Sequence, residues 1–276
     1  MNFQDALQVT EPLLKAMQNN LRAKPKASTS SLEKLLKMKS PKKEIPLPEK
    51  KEPIASIALT PSSLMMEANP DRVKKLEALK KQALACVRCP NLVSSRTQVV
   101  FGVGNPTAEL MFVGEAPGAD EDLQGEPFVG RAGKLLTKII NAMEYQREEI
   151  FIANVLKCRP NMPPNTSGNR KPTPDEMATC VPWLIDQINL IKPRVLVALG
   201  ATAVEGLLGR PMTMREARGN WFDFHGIPLI ATYHPAYLLY SHSLTEKRKV
   251  WEDMLQVLEK LGRPISDKQR GYFLAQ

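Results

Sequence analysis

Arg194-Val-Leu-Val-Ala-Leu199, closed by Gly200, is a continuous apolar run of the kind buried on both faces, and its reading decides the fold. Strands of that kind belong to mainly parallel sheets with helices over each side, so strand and helix should alternate around it. They do. Upstream, residues 109–113 read as an apolar strand ending in Gly114-Glu-Ala-Pro-Gly118, and residues 150–156 as a second strand. Between them Leu135, Leu136, Ile139, Ile140 and Met143 recur at helical spacing. Thr173-Pro-Asp-Glu176 is a capping box that starts a helix through Cys180 to about Ile191. Downstream, a short helix stops near Gly209 and residues 228–233 form another strand. Ser243-Leu-Thr-Glu246 then caps a last helix with Val250, Met254, Val257, Leu258 and Leu261 on its apolar face. Asn69-Pro70 opens a basic helix to about Ala85. The prediction is an α/β fold, a three-layer α/β/α sandwich around a mainly parallel sheet.

Residues 1–68 read differently. They hold 11 Lys and Arg against 7 Asp and Glu, with Pro and Ser clusters, a composition that predicts a disordered basic tail ahead of a folded domain at 69–276. Phe3, Leu7, Leu14, Met17 and Leu21 fall near one face of a short helix, either a docking peptide for a protein partner or a marginal helix without a target. The whole chain is 43% apolar, which excludes wholesale disorder. Its formal charge of +9 suits a polyanionic partner without distinguishing DNA, RNA and acidic membrane. No apolar run is long enough to span a membrane, and the first residues lack a secretory pattern, so a cytoplasmic protein is expected.

In such sheets ligands sit beyond the carboxyl ends of the strands. The polar motifs fall there: Gly114-Glu-Ala-Pro-Gly118 after the first strand, Asn154 and then Cys158-Arg-Pro after the second, and His234-Pro after the last. That convergence points to an active site. Phe101-Gly-Val-Gly104 precedes its strand and lacks a full GxGxxG, so it is not a nucleotide loop. Cys86-Val-Arg-Cys89, Cys158 and Cys180 supply four sulfurs, the ligand set of a tetrahedral zinc site or of an iron–sulfur cluster. A thioredoxin-like reading fails because this CxxC follows a helix instead of opening one after a strand.

Taken together, GEAPGADED (114–122), GEPFVGRAG (125–133), NVLKCRP (154–160), VLVALGATA (195–203) and TYHPAYLL (232–239) resemble the uracil-DNA glycosylases of family four, the iron–sulfur type. The resemblance runs over residues 84–261 and departs at two places. The polar 160–174 loop is longer than expected, and Tyr240 stands where the family usually has arginine.

The resemblance implies a structural 4Fe–4S cluster on Cys86, Cys89, Cys158 and Cys180. It implies a monomeric, monofunctional hydrolase of DNA repair that flips uracil from single- or double-stranded DNA, cuts the N-glycosidic bond and leaves an abasic site. Phe128 would be the aromatic floor under the base, where composition alone favours a core phenylalanine. Asn154 would pair with uracil O4 and N3, since one amide offers both an acceptor and a donor; otherwise it makes a structural hydrogen bond. Gly114, Glu115 and Ala116 would line the pocket. His234 would aim a ring N–H at uracil O2, whereas His225 and His242 read as surface or capping residues. Glu121 is the candidate for positioning the attacking water and countering positive charge on the sugar, among neighbouring acids of which at least one is merely solvated. Residues 236–239 would form a loop that either wedges into the duplex or packs its leucines. The alternatives are a non-catalytic iron–sulfur nucleic-acid-binding protein and a superfamily glycosylase preferring another damaged base. Product-trapping relatives carry a basic, His-bearing insertion after the Gly-Arg-Ala-Gly segment, and none is present here.

Overall fold

The computed structural model describes residues 70–274 apart from 164, 165, 167 and 242. The tail at 1–68 with its amphipathic stretch, the Asn69 cap and His242 lie outside the described residues.

Helix α1 (Pro70–Leu84) starts at the proline whose missing N–H costs nothing there, and the short α2 (Pro90–Val93) begins directly after Cys89. The chain then runs through β1 (Val103–Gly104), β2 (Leu110–Gly114), α3 (Ala119–Gln124), α4 (Arg131–Ala142), β3 (Phe151–Asn154) and α5 (Pro174–Ile191). It continues through β4 (Val195–Leu199), α6 (Ala201–Leu208), α7 (Met214–Ala217), β5 (Trp221–Phe224) and β6 (Ile227–Thr232). Helices α8 (Pro235–Ser241), α9 (Leu244–Leu261) and α10 (Asp267–Gly271) close the chain.

Among the described residues the strands form one sheet in the order β1-β3-β2-β4-β6-β5, with β3, β2, β4 and β6 parallel and both edges antiparallel. Every residue of β2 and β4 is buried, which accounts for their unbroken apolar character. The pleat sends Met111, Val113, Leu196 and Ala198 into a core shared with α1, α5 and α6. Leu110, Phe112, Val195 and Val197 go into a second core against α4 and α9. These are the two helical layers of the expected sandwich.

The capping predictions match side-chain geometry. Thr173 Oγ1 accepts the Glu176 N–H while Glu176 accepts the Thr173 N–H, and Ser243 Oγ accepts the Glu246 N–H. The structure departs from the sequence reading at the sheet edges and at residues 236–239. Strands β1 and β5 were not foreseen, because two residues of β1 carry no periodicity and β5 is an edge with a mixed pattern. The β5–β6 hairpin turns on His225 and Gly226, both with positive φ, the two-residue turn that matches strand twist. Residues 236–239 lie within helix α8 rather than a loop, and α8 packs on α4.

Register positions the polar motifs. Gly114 pairs with Asn154 and Leu199 with Thr232, so the carboxyl ends of β2, β3, β4 and β6 stand along one rim of the sheet.

Candidate active site

The rim is built around Gly114. A Cβ there would lie 2.4 Å from the Asn154 Oδ1 and 2.6 Å from the Phe128 ring, so only glycine lets the amide and the aromatic edge approach this close. Asn154 is buried, and among the described residues its side-chain amide has no hydrogen-bond partner. The residue is only 3% exposed, so its amide groups face the rim with little contact to solvent and are free to meet a ligand.

Phe128 sits between α3 and α4 with φ of 54°, a left-handed conformation unusual for an aromatic residue. Glu121 helps impose it. Its Oε1 accepts the Val129 and Gly130 N–H groups, both at 3.0 Å, and its Oε2 accepts the Gly118 N–H at 3.1 Å. One carboxylate thus ties the loop after β2 to the loop that presents Phe128. Arg147 donates to the Pro127 carbonyl from the other side.

The Phe128 ring lies 5.5 Å from the His234 ring at 31°. His234 Nδ1 accepts the Ala236 N–H at 3.2 Å, which leaves the ring proton on Nε2. Burial pulls the imidazole down to about 4, against the opposing charge of Glu121, so near neutral pH the ring is an uncharged donor. The end of β6 is anchored beneath it. Thr232 Oγ1 donates to Asp253 at 2.6 Å, and Arg218 donates to the other oxygen at 2.9 Å.

Glu115 and Ala116 are half-buried on the loop leaving β2, with the Glu115 carbonyl accepting the Leu156 N–H. Of the neighbouring acids, Asp120 is exposed, whereas buried Asp122 accepts the Thr97 N–H with both oxygens. Tyr237 and Tyr240 on α8 are exposed.

The four cysteines are free and line one cavity with Arg88, Arg96, Lys157 and Trp183. Arg96 donates to Cys158 Sγ at 3.1 Å, and the Lys157 backbone N–H donates to Cys180 Sγ at 3.2 Å. Trp183 contributes a buried indole N–H with no partner among the described residues. Burial pushes the Cys180 thiol up to about 11 and raises Cys158 and Cys89 as well. Four sulfurs ringed by N–H donors and cations suit an anionic thiolate-bound group, which would displace those protons. Among the described residues no three His, Cys, Asp or Glu side chains form a site for a single metal ion.

Phe128, Asn154, Gly114, His234 and Glu121 therefore gather at one rim, and the four cysteines gather around a separate cavity. Sequence reasoning missed Lys157, Gln187, Arg96, Asp253 and Gly133. Two had a visible signal. Lys157 follows apolar Val155-Leu156, and Asp253 falls on the same helical stripe as Val250, Met254 and Val257. A charge inside an apolar pattern marks a buried, partnered ion.

The family model of the uracil DNA glycosylase superfamily matches residues 101–255. The chain is 44% identical to the Type-4 uracil-DNA glycosylase of Thermotoga maritima over 66% of its own length and 93% of that protein. It is 41% identical to the Type-4 enzyme of Archaeoglobus fulgidus, over 63% of this chain and 88% of that one. For the Type-4 enzyme of Sulfurisphaera tokodaii the identity is 39%, over 72% and 90%. The match spans the sheet and every rim residue described above, and the chain belongs to the type-4 uracil-DNA glycosylases.

Proposed function

We propose that this protein removes uracil from single- or double-stranded DNA by hydrolysing the N-glycosidic bond, leaving an abasic site. The observation that carries the reading is Asn154: a buried residue whose side-chain amide has no hydrogen-bond partner among the described residues, placed against an aromatic ring and beside a neutral imidazole. A flipped uracil would stack on Phe128 between that amide and the backbone of residues 114–116, with Asn154 Oδ1 accepting from uracil N3–H and Asn154 Nδ2 donating to O4. Cytosine reverses the pattern and would leave both ends unpaired.

As the C1′–N1 bond breaks, its electron pair moves onto uracil, and the His234 Nε2–H donates to O2, where negative charge grows. A water attacks C1′, and the proton it loses passes through solvent to the uracil anion, so the products are the abasic sugar hydroxyl and neutral uracil. Glu121 Oε2, with one amide contact, retains capacity to accept a hydrogen bond from that water, and its charge opposes the cationic sugar. Glu121 also fixes the Phe128 loop, so it serves as a positioning residue as well.

Cys86, Cys89, Cys158 and Cys180 would hold a 4Fe–4S cluster whose contribution is to tie the α1–α2 connection, the segment after β3 and helix α5 together. The partner is DNA, bound by a monomer whose formal charge of +9 supplies a salt-dependent attraction. Among the described residues no helix is long and apolar enough to cross a membrane.

Incubation with a uracil-containing oligonucleotide followed by alkali tests the reading. Strand cleavage at uracil is expected, with Asn154→Ala and His234→Ala each slower by about 100-fold or more. Parental rates in both variants would place the pocket elsewhere. DNA binding without cleavage would favour a non-catalytic nucleic-acid-binding protein.

A further inference from the structure

Lys157 is 1% exposed, yet it is a lysine. Its Nζ donates to the backbone carbonyl of Asn154 at 2.9 Å and to Gln187 Oε1 at 2.6 Å. Gln187 in turn donates to the Phe101 carbonyl at 2.9 Å, so the ammonium is anchored through α5 to the segment before β1. The Lys157 backbone N–H donates to Cys180 Sγ, the next residue is Cys158, and Lys157 is among the residues lining the cavity of the four cysteines.

A buried polar nitrogen needs hydrogen-bond partners, and the Asn154 carbonyl and Gln187 Oε1 supply two. Asn154 is the last residue of β3, in register with Gly114, and its carbonyl is three bonds from the amide-bearing Cβ. Whatever fixes that carbonyl therefore fixes where the side-chain amide meets a base.

We propose that Lys157 is a positioning residue that couples the cysteine set to base recognition, its backbone N–H holding Cys180 while its Nζ holds the Asn154 carbonyl. This rests on Asn154 as the base-reading amide and on the four cysteines as cluster ligands. If iron is retained on the parental protein and Asn154→Ala is inactive, that foundation stands whatever the lysine does.

Lys157→Met keeps the length and bulk of the side chain and removes its N–H donors; Lys157→Gln keeps an N–H donor. Both are purified anaerobically and compared with the parental protein for iron per chain, kcat and KM on a uracil oligonucleotide, and binding to abasic-site DNA. Lys157→Met is expected to keep its iron and to lose about 10- to 100-fold in kcat with unchanged abasic-site binding. Lys157→Gln is expected to recover much of that kcat. Parental kcat in Lys157→Met overturns the coupling. Loss of iron or of the fold in Lys157→Met overturns it too, since the residue would then serve the cluster or the core alone. A Gln variant that recovers none of the lost kcat also overturns it.

Discussion

The backbone carbonyl of Phe128 lies so close to Gly133 that a Cβ at position 133 would stand 1.8 Å from its oxygen. The Gly-Arg-Ala-Gly segment is therefore a steric requirement of the aromatic plate: helix α4 begins directly under the residue it supports. Gly133→Ala is expected to expel Phe128 from its left-handed conformation. Stability should fall by about 2–4 kcal/mol, read by urea unfolding, and kcat/KM on a uracil oligonucleotide by at least about 100-fold.

Glu121→Gln separates loop support from charge. Glutamine keeps the length but turns an N–H₂ toward backbone N–H groups that the carboxylate now satisfies. A loss of about 1–3 kcal/mol in urea unfolding is expected, with a fall in kcat larger than the stability change alone produces. Unchanged unfolding would mean that these amide contacts are dispensable.

His234 predicts a pH dependence. Its folded value near 4 is below the ordinary 6.5, so as pH falls the unfolded chain takes up the proton first. Stability contributed by this site should be undiminished above pH 6.5 and decline from there to about pH 4, by at most about 3 kcal/mol. Urea unfolding between pH 4 and 8 should show a shallower slope for His234→Gln than for the parental protein.

The long polar loop after Cys158 is clamped by one ion pair. Arg170 meets Glu176 with two nitrogens, at 2.7 and 2.8 Å, and also donates to the Asn161 carbonyl at 2.7 Å. The arginine holds the Glu176 carboxyl down to about 2. Arg170→Ala should leave a buried carboxylate half-satisfied and cost about 1–3 kcal/mol, with protease cutting between Cys158 and Thr173 accelerated as the direct readout.

Anaerobically purified protein is expected to be brown, with about four irons per chain under the four-cysteine ligand rule. Removing the iron with a chelator should lower the thermal midpoint, since a group that binds only the folded chain stabilises it. Stoichiometric zinc in its place would overturn the cluster assignment.

Much of the architecture was legible one segment at a time. The apolar run at 194–199, the Thr173–Glu176 and Ser243–Glu246 caps and the helical repeats of α4 and α9 depend on neighbours within a few residues, and such patterns survive in a linear string. The site residues were visible as a set because their motifs follow strands. Their working relations were not. The three amides on Glu121 belong to residues 118, 129 and 130, and Lys157 meets partners as far away as position 187.

The amino-acid order by itself determined which segments become strands and helices, and which polar residues end them, because periodicity and capping are short-range. Only the tertiary structure decided that the Asn154 amide stands beside the Phe128 ring, that His234 carries its proton on Nε2, and that a lysine joins the cysteines to the rim. Those outcomes follow from sheet order and register, which bring side chains from distant parts of the chain within hydrogen-bonding range, and no local rule specifies that distance.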